Sequence, residues 1–244
     1  MTDFNGIEMK KGKGSDEAEI TIYDFIGGGG WEPGISDKDF REALLDLGDV
    51  KRLNVKINSG GGSVFQGVAI ANELKMHEAS VTVTVTGLAA SIASVIAMAA
   101  DPGQLVMCED TMMMIHPPSG MVWGTAEEMR KEANLLDQIE NQIVDTYRRR
   151  TGLSRTKIKD YVKAETWFEA EEAVRLGFAD RVEGTGEDVT NSTRMEWMNS
   201  NFRNIPTKLV AQYNAHKERE SRKASQGRDR GRELDLMMLK HRIH

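Results

Sequence analysis

The chain of 244 residues is 39% hydrophobic and 29% charged, enough apolar material for one sizeable core and unlike a disordered or fibrous composition. Its longest apolar stretch, around Ile92 to Ala100, is shorter than the roughly 20 residues a bilayer span needs, and MTDFNGIEMKKGKGSDE has no apolar signal core, so a soluble, cytoplasmic protein without a membrane partner is expected. A single cysteine, Cys108, excludes an intrachain disulfide and a cysteine-rich metal site.

The net charge of −6 conceals a division. Up to Thr190 there are 20 Lys+Arg against 32 Asp+Glu, and Asn191 to His244 holds the remaining 12 against 6, so the body carries −12 and the tail +6. A solvated basic tail is the simpler reading, and no aromatic interleaving points to single-strand stacking, so nucleic acid is not expected as a partner. The chain divides into a flexible arm over residues 1–18, one folded domain over 19–184, and a basic, partly helical or disordered tail over 185–244.

In chain order, Glu19 to Ile26 alternates as a first strand and ends in Gly27 to Gly30, which lack the following Lys-Ser/Thr of a phosphate cradle and read as a loop. Ser36 to Leu47 is a capped amphipathic helix with Phe40, Ala43, Leu44 and Leu47 on one face. Lys51 to Asn58 is a strand that runs into Ser59-Gly60-Gly61-Gly62-Ser63, and a helix follows over Val64 to Met76. Glycines at such a turn permit positive φ and can aim backbone N–H groups at developing negative charge. Val81 to Ala100 then combines a β-branched strand, a turn holding Gly87 and Ser91, and a small-residue helix. A strand feeding a sharp turn into a buried helix can hold a serine hydroxyl rigidly, so Ser91 is the first candidate nucleophile.

Gln104 to Cys108 and Thr111 to Ile115 are short strands, the second ending in His116-Pro117-Pro118-Ser119-Gly120. From Thr125, a capping box opens a helix of about 25 residues that stops at Gly152, longer than most globular helices and therefore expected to project and pack against a partner. Thr156 to Val162 and Thr166 to Leu176 read as helices and Phe178 to Val182 as a closing strand. Met195 to Tyr213 and Leu234 to Leu239 could each be helical. Strands alternating with helices give an α/β class with a largely parallel sheet, and Gly61, Ser91 and His116 all fall just past strand ends, where such sheets place their chemistry.

A nucleophilic serine needs a base, usually a histidine oriented by a carboxylate. Of His77, His116, His216, His241 and His244, three lie in the tail and His77 at a helix-to-strand junction, which leaves His116.

Four ordered motifs, Ile57-Asn58-Ser59-Gly60-Gly61-Gly62-Ser63-Val64, Gly87-Leu88-Ala89-Ala90-Ser91, Met114 to Gly120, and Phe168 to Asp180, resemble the Clp protease proteolytic subunit. The Thr166-Trp167 pair and the N-terminal glycines look most like its phage head-maturation branch. The resemblance spans about Ile20 to Val182. It implies the ββα superhelix shared with crotonases, with a projecting handle helix, and a serine endopeptidase without cofactor or metal. It implies Ser91 as nucleophile, His116 as base, and the N–H groups of Gly61 and Ile92 as oxyanion hole. Glu165 falls where the family usually has Asp, with Asp160 and Glu169 as nearby competitors, and Gly60 falls where the family commonly has proline. A substrate groove along Gly62, Ser119, Gly120, Met121 and Val122 is implied, with the peptide adding as a strand. So is a homo-oligomeric ring, or double ring, of about six or seven subunits. The partners implied are a polypeptide substrate, a capsid or scaffold protein, and an ATPase. The alternatives are a crotonase-like enzyme acting on a coenzyme A thioester, a Ser-Lys dyad using Lys56 or Lys75, and a silent assembly module docked through the basic tail.

Overall fold

The computed structural model describes residues 3–4, 7–11, 15–28, 34–185, 198, 202–211, 214 and 218. Two units divide the chain, Met1–Asn204 and Ile205–His244. In the second, residues 207–211 are helical, with the N–H groups of Leu209 and Val210 on the Pro206 carbonyl. Gly29, Gly30, the helix expected at Leu234 to Leu239 and most of the one expected over Met195 to Tyr213 lie outside the described residues.

The first unit is built on one sheet. Its strands are β1 (Asp3–Phe4), β2 (Ile7–Lys11), β3 (Glu17–Ile22), β4 (Arg52–Ser59), β5 (Ser80–Ala90), β6 (Leu105–Glu109), β7 (Met112–Ile115), β8 (Thr166–Glu169) and β9 (Arg181–Thr185). The order is β1-β2-β3-β4-β5-β6-β9, with β7 branching from β5 and β8 from β7. Pairings from β3 through β6 to β9, and of β7 on β5, are parallel, while β1-β2, β2-β3 and β7-β8 are antiparallel. This is the α/β class with a largely parallel sheet.

Alternation explains the strands: Leu53, Val55 and Ile57 of β4 and Val81, Val83 and Val85 of β5 are buried, with Asn54, Lys56, Thr82 and Thr84 between them half-exposed. The expected arm contains strands instead, because Ile7 and Met9 of β2 turn inward against β3. The strand expected to run to Ile26 stops at Ile22. There the Phe25 N–H turns onto the Asp24 carboxylate, Ser59 Oγ takes the Asp24 carbonyl, and Ile26 bridges Ile35 and Gly62.

Helices α1 (Asp37–Leu47), α2 (Val64–Met76), α3 (Ile92–Ala97), α4 (Ala126–Thr151), α5 (Arg155–Lys163) and α6 (Ala170–Arg175) complete the unit. Ser36 caps α1 through its side chain, and Thr125 with Glu128 forms the capping box of α4. Gly152, at φ 72°, ends α4 in the left-handed conformation. The helix expected over Thr166 to Leu176 is a strand followed by a helix. Thr166, Trp167 and Phe168, β-branched or aromatic, pair with β7, and α6 opens only at Ala170. The closing strand begins later than expected, at Arg181, and Phe178 is spent on stacking against Phe168 at 4.7 Å.

The buried residues of α4 are Ile139, Ile143, Val144 and Tyr147, all in its second half. The first half carries exposed Met129 and Leu135. No helix among the described residues is long and apolar enough to cross a membrane.

Candidate active site

Strand β5 changes neighbours along its length: Val83 to Val85 pair with β6, and Leu88 to Ala90 pair with β7. The change happens at Gly87, where a Cβ would lie 2.6 Å from Asn58 Oδ1, and that oxygen accepts the Leu88 N–H at 3.1 Å. A side-chain amide thus takes the place of a ladder bond where β4 slips register, between Ile57 and Ser59.

Ser91 follows immediately, at φ 55° and ψ −128°, between β5 and α3. Positive φ at a non-glycine residue is strained, and its persistence requires surrounding contacts to hold it. Two are present. The Ser91 N–H donates to the Met114 carbonyl at 2.9 Å, and the Ser91 carbonyl accepts Ser94 Oγ–H at 2.6 Å. With its proton committed there, Ser94 Oγ accepts from the buried Tyr147 hydroxyl of α4 at 2.8 Å. Burial pushes the Tyr147 phenol well above its ordinary range, so it stays a donor. The contact between Ser94 and Tyr147 is not readable from the sequence; a hydroxyl three residues after Ser91 is the available signal.

His116 leaves the end of β7 and its Nε2 lies 2.8 Å from Ser91 Oγ. With serine donating, the ring proton sits on Nδ1, the tautomer a general base requires. Burial lowers the pKa of His116 below its ordinary value, and the charge of Glu165 partly opposes that.

Glu165 lies at the corner between α5 and β8, buried, at φ 50°. In the antiparallel register Ile115 faces Thr166, so the next position out on each strand brings His116 and Glu165 to the same end of the ladder. No hydrogen bond or ion pair joins the two among the described residues. Glu165 Oε1 instead accepts the backbone N–H groups of Arg203 and Asn204, each at 2.7 Å. The competitors are elsewhere: Asp160 is exposed on α5, and Glu169 is exposed opposite Met112 at the far end of the β7-β8 pair.

The glycine turn lies over the serine. A Cβ on Gly61 (φ 97°) would sit 2.7 Å from both the Ala90 carbonyl oxygen and Ser91 Cβ, and 3.2 Å from the Ile92 nitrogen. The Gly61 N–H itself donates to Ser59 Oγ at 3.1 Å. The N–H groups of Gly62 and Ile92 have no acceptor among the described residues. Gly67 of α2 adds to the closeness, since its missing Cβ makes room for Ile92.

Beyond His116 the chain is irregular through Gly124, with Ser119, Gly120, Met121 and Val122 exposed and Met121 and Trp123 at 100%. The two lysines weighed as bases are away from the serine's bond: Lys56 pairs with Glu19, and Lys75 lies at the end of α2 within the field of Arg149.

The Clp protease family profile matches residues 40–186. The chain is 32% identical over 179 residues to the ATP-dependent Clp protease proteolytic subunit 1 of Protochlamydia amoebophila, covering 72% of this chain and 85% of that one. It is 37% identical over 156 residues to the subunit of the same name from Chlamydia trachomatis serovar D, covering 61% and 81%. Among solved structures, a mutant of ClpP1 from Listeria monocytogenes superposes with a TM-score of 0.60 at 25% identity, covering 68% of this chain and 91% of that one. The matched stretch contains the glycine turn, the serine on its strained corner and the histidine bonded to it, and the chain accordingly belongs to the Clp protease family as a serine-type endopeptidase.

Proposed function

We propose that Ser91, His116 and Glu165 form the catalytic group of a homo-oligomeric peptidase that processes capsid or scaffold protein. The observation that carries the chemistry is the 2.8 Å Ser91 Oγ to His116 Nε2 hydrogen bond on a strained turn. Ser91 Oγ attacks the scissile carbonyl carbon as its proton passes to Nε2, and the tetrahedral oxyanion is met by backbone N–H groups. Ile92 supplies one; Gly62, whose N–H has no acceptor among the described residues, shares the role expected for Gly61, whose N–H donates to Ser59 Oγ. His116 then protonates the leaving amine, and water releases the acyl group from Ser91 by the same route in reverse. A coenzyme A thioester enzyme has no need of this serine-histidine pair.

Glu165 acts through its charge on the imidazolium that forms at His116. Glu165→Gln removes the field that raises the His116 pKa, so the pKa falls further below its ordinary value. The acid limb of the pH-rate profile is then expected to move to lower pH while the plateau drops about tenfold or more, because the imidazolium loses its counter-charge. An unmoved limb would remove Glu165 from the site.

The exposed apolar residues of the first half of α4, Met129 and Leu135, support assembly through that helix into a ring or double ring. The exposed strip from Ser119 to Val122, with Gly62, supports a groove in which the peptide adds as a strand. The phage-type role rests on the Thr166-Trp167 pair and the N-terminal glycines and the resemblance they carry. It is tested by incubating the protein with casein and with a purified phage scaffold protein, without nucleotide or ATPase. Scaffold cleavage that Ser91→Ala abolishes is expected. Cleavage of casein with the scaffold untouched would end the capsid role and leave the peptidase.

A further inference from the structure

Among the described residues, Phe202, Arg203 and Asn204 touch His116 or Glu165 from outside the family-matched stretch. The Phe202 ring is 6% exposed and meets two rings edge-on. One is His116, centroids 5.2 Å apart at 84°, and the other is Trp167 of β8, at 5.8 Å and 78°. The next two residues give their backbone N–H groups to Glu165 Oε1, and the Asn204 side-chain amide donates to the Ala164 carbonyl at 3.0 Å. Three hydrogen bonds therefore fasten this short segment to the α5–β8 corner, and one aromatic ring wedges it against the histidine.

We propose that Phe202 is a positioning residue for the His116 base, held in place by the amides of Arg203 and Asn204 on Glu165. The proposal rests on the reading of Ser91 and His116 as nucleophile and base.

The physical argument has two parts. Glu165 is 8% exposed, and the two backbone amides on its Oε1 satisfy the buried oxygen and fix the side chain at the α5–β8 corner. The group that acts electrostatically on the imidazole is thereby held in one place. An edge-on aromatic contact, in turn, fixes a ring plane that a single hydrogen bond through Nε2 leaves free to pivot about that bond. Phe202 also contributes to the burial that depresses the His116 pKa, so more of the base is neutral near pH 7. Around His116, Glu165 is the charged group whose field reaches the ring; the side chain of Arg203 is exposed, and Trp167 and Ser91 are neutral.

The test compares the full chain with Phe202→Ala and Phe202→Leu. One readout is the pH dependence of inactivation by a fluorophosphonate, separated into its binding and bond-forming constants; the other is the NMR titration of the His116 ring. Phe202→Ala is expected to slow the bond-forming step about tenfold and leave reagent binding within twofold. It is also expected to move the acid limb and the His116 titration together to higher pH, toward the ordinary histidine value. Phe202→Leu, which keeps the apolar cover, should recover most of the pH shift, and it carries the test if the alanine variant does not fold. An unchanged or faster bond-forming step with an unmoved titration overturns the proposal and makes the segment a passenger or a cover. Failure of the unaltered chain to label at any pH would instead strike the Ser91–His116 reading, and the titration would still decide the placement of Phe202.

Discussion

Replacing Ser91 by alanine is expected to abolish covalent labelling by a fluorophosphonate and to lower peptide hydrolysis by about 10³-fold or more, with His116→Ala alone losing about as much. The two substitutions remove the ends of one 2.8 Å hydrogen bond, and groups that act as a unit fail together, so the double variant should be scarcely worse than either single one. Mass spectrometry of the labelled protein locates the adduct, and the melting temperature checks that the fold survives. Survival is expected, since both side chains are only half-buried and neither fills the core. Label at another serine, or undiminished hydrolysis in Ser91→Ala, would disprove the assignment.

Gly61→Ala should be almost as damaging by a different route. The added methyl would stand 2.7 Å from the Ala90 carbonyl oxygen and from Ser91 Cβ, both fixed by the β5 ladder and the strained turn, so no flexible side chain can yield. An L residue at φ 97° also costs roughly 1–3 kcal/mol in backbone strain before any contact is counted. The turn must then move away from Ser91, and a displacement of about 1 Å at a reacting group is worth on the order of 10² in rate. Gly48→Ala separates the two effects. Gly48 also has positive φ, 58°, but a Cβ there meets nothing within 4 Å. It should lose some stability in a urea titration and keep full activity. Equal loss of activity in both variants would show that general destabilisation, and not the approach of the turn to Ser91, is responsible.

The sheet was legible because its strands alternate and its helices are capped by local chemistry. The edges of β4, α1, α2 and α4 fall within a residue or two of where Ser36, the glycine turn, the Thr125 box and Gly152 put them. Local signals failed where an element's state depends on a distant partner. Thr166 to Glu169 is a strand because β7 lies beside it, and Ile7 and Met9 are strand residues because β3 covers them. Neither partner is adjacent in sequence, so periodicity over so few residues had little to work with.

The site divides along the same line. Ser91, His116 and the glycine turn were readable because each sits where a strand runs out, and strand ends on one side of a parallel sheet converge whatever the loops do. The sequence by itself determined that Ser91, His116 and the glycine turn meet where neighbouring strands of the sheet run out. Tertiary structure alone decided how they are held. Antiparallel pairing of β7 with β8 brings Glu165 to the His116 end of the ladder, and the fold leads Tyr147, 53 positions after Ser94, back onto the Ser94 hydroxyl. It also places the amides of Arg203 and Asn204, 38 and 39 positions after Glu165, on that carboxylate. The physical reason is that contacts between residues far apart in the chain are set by register and packing, quantities that no local run of residues encodes.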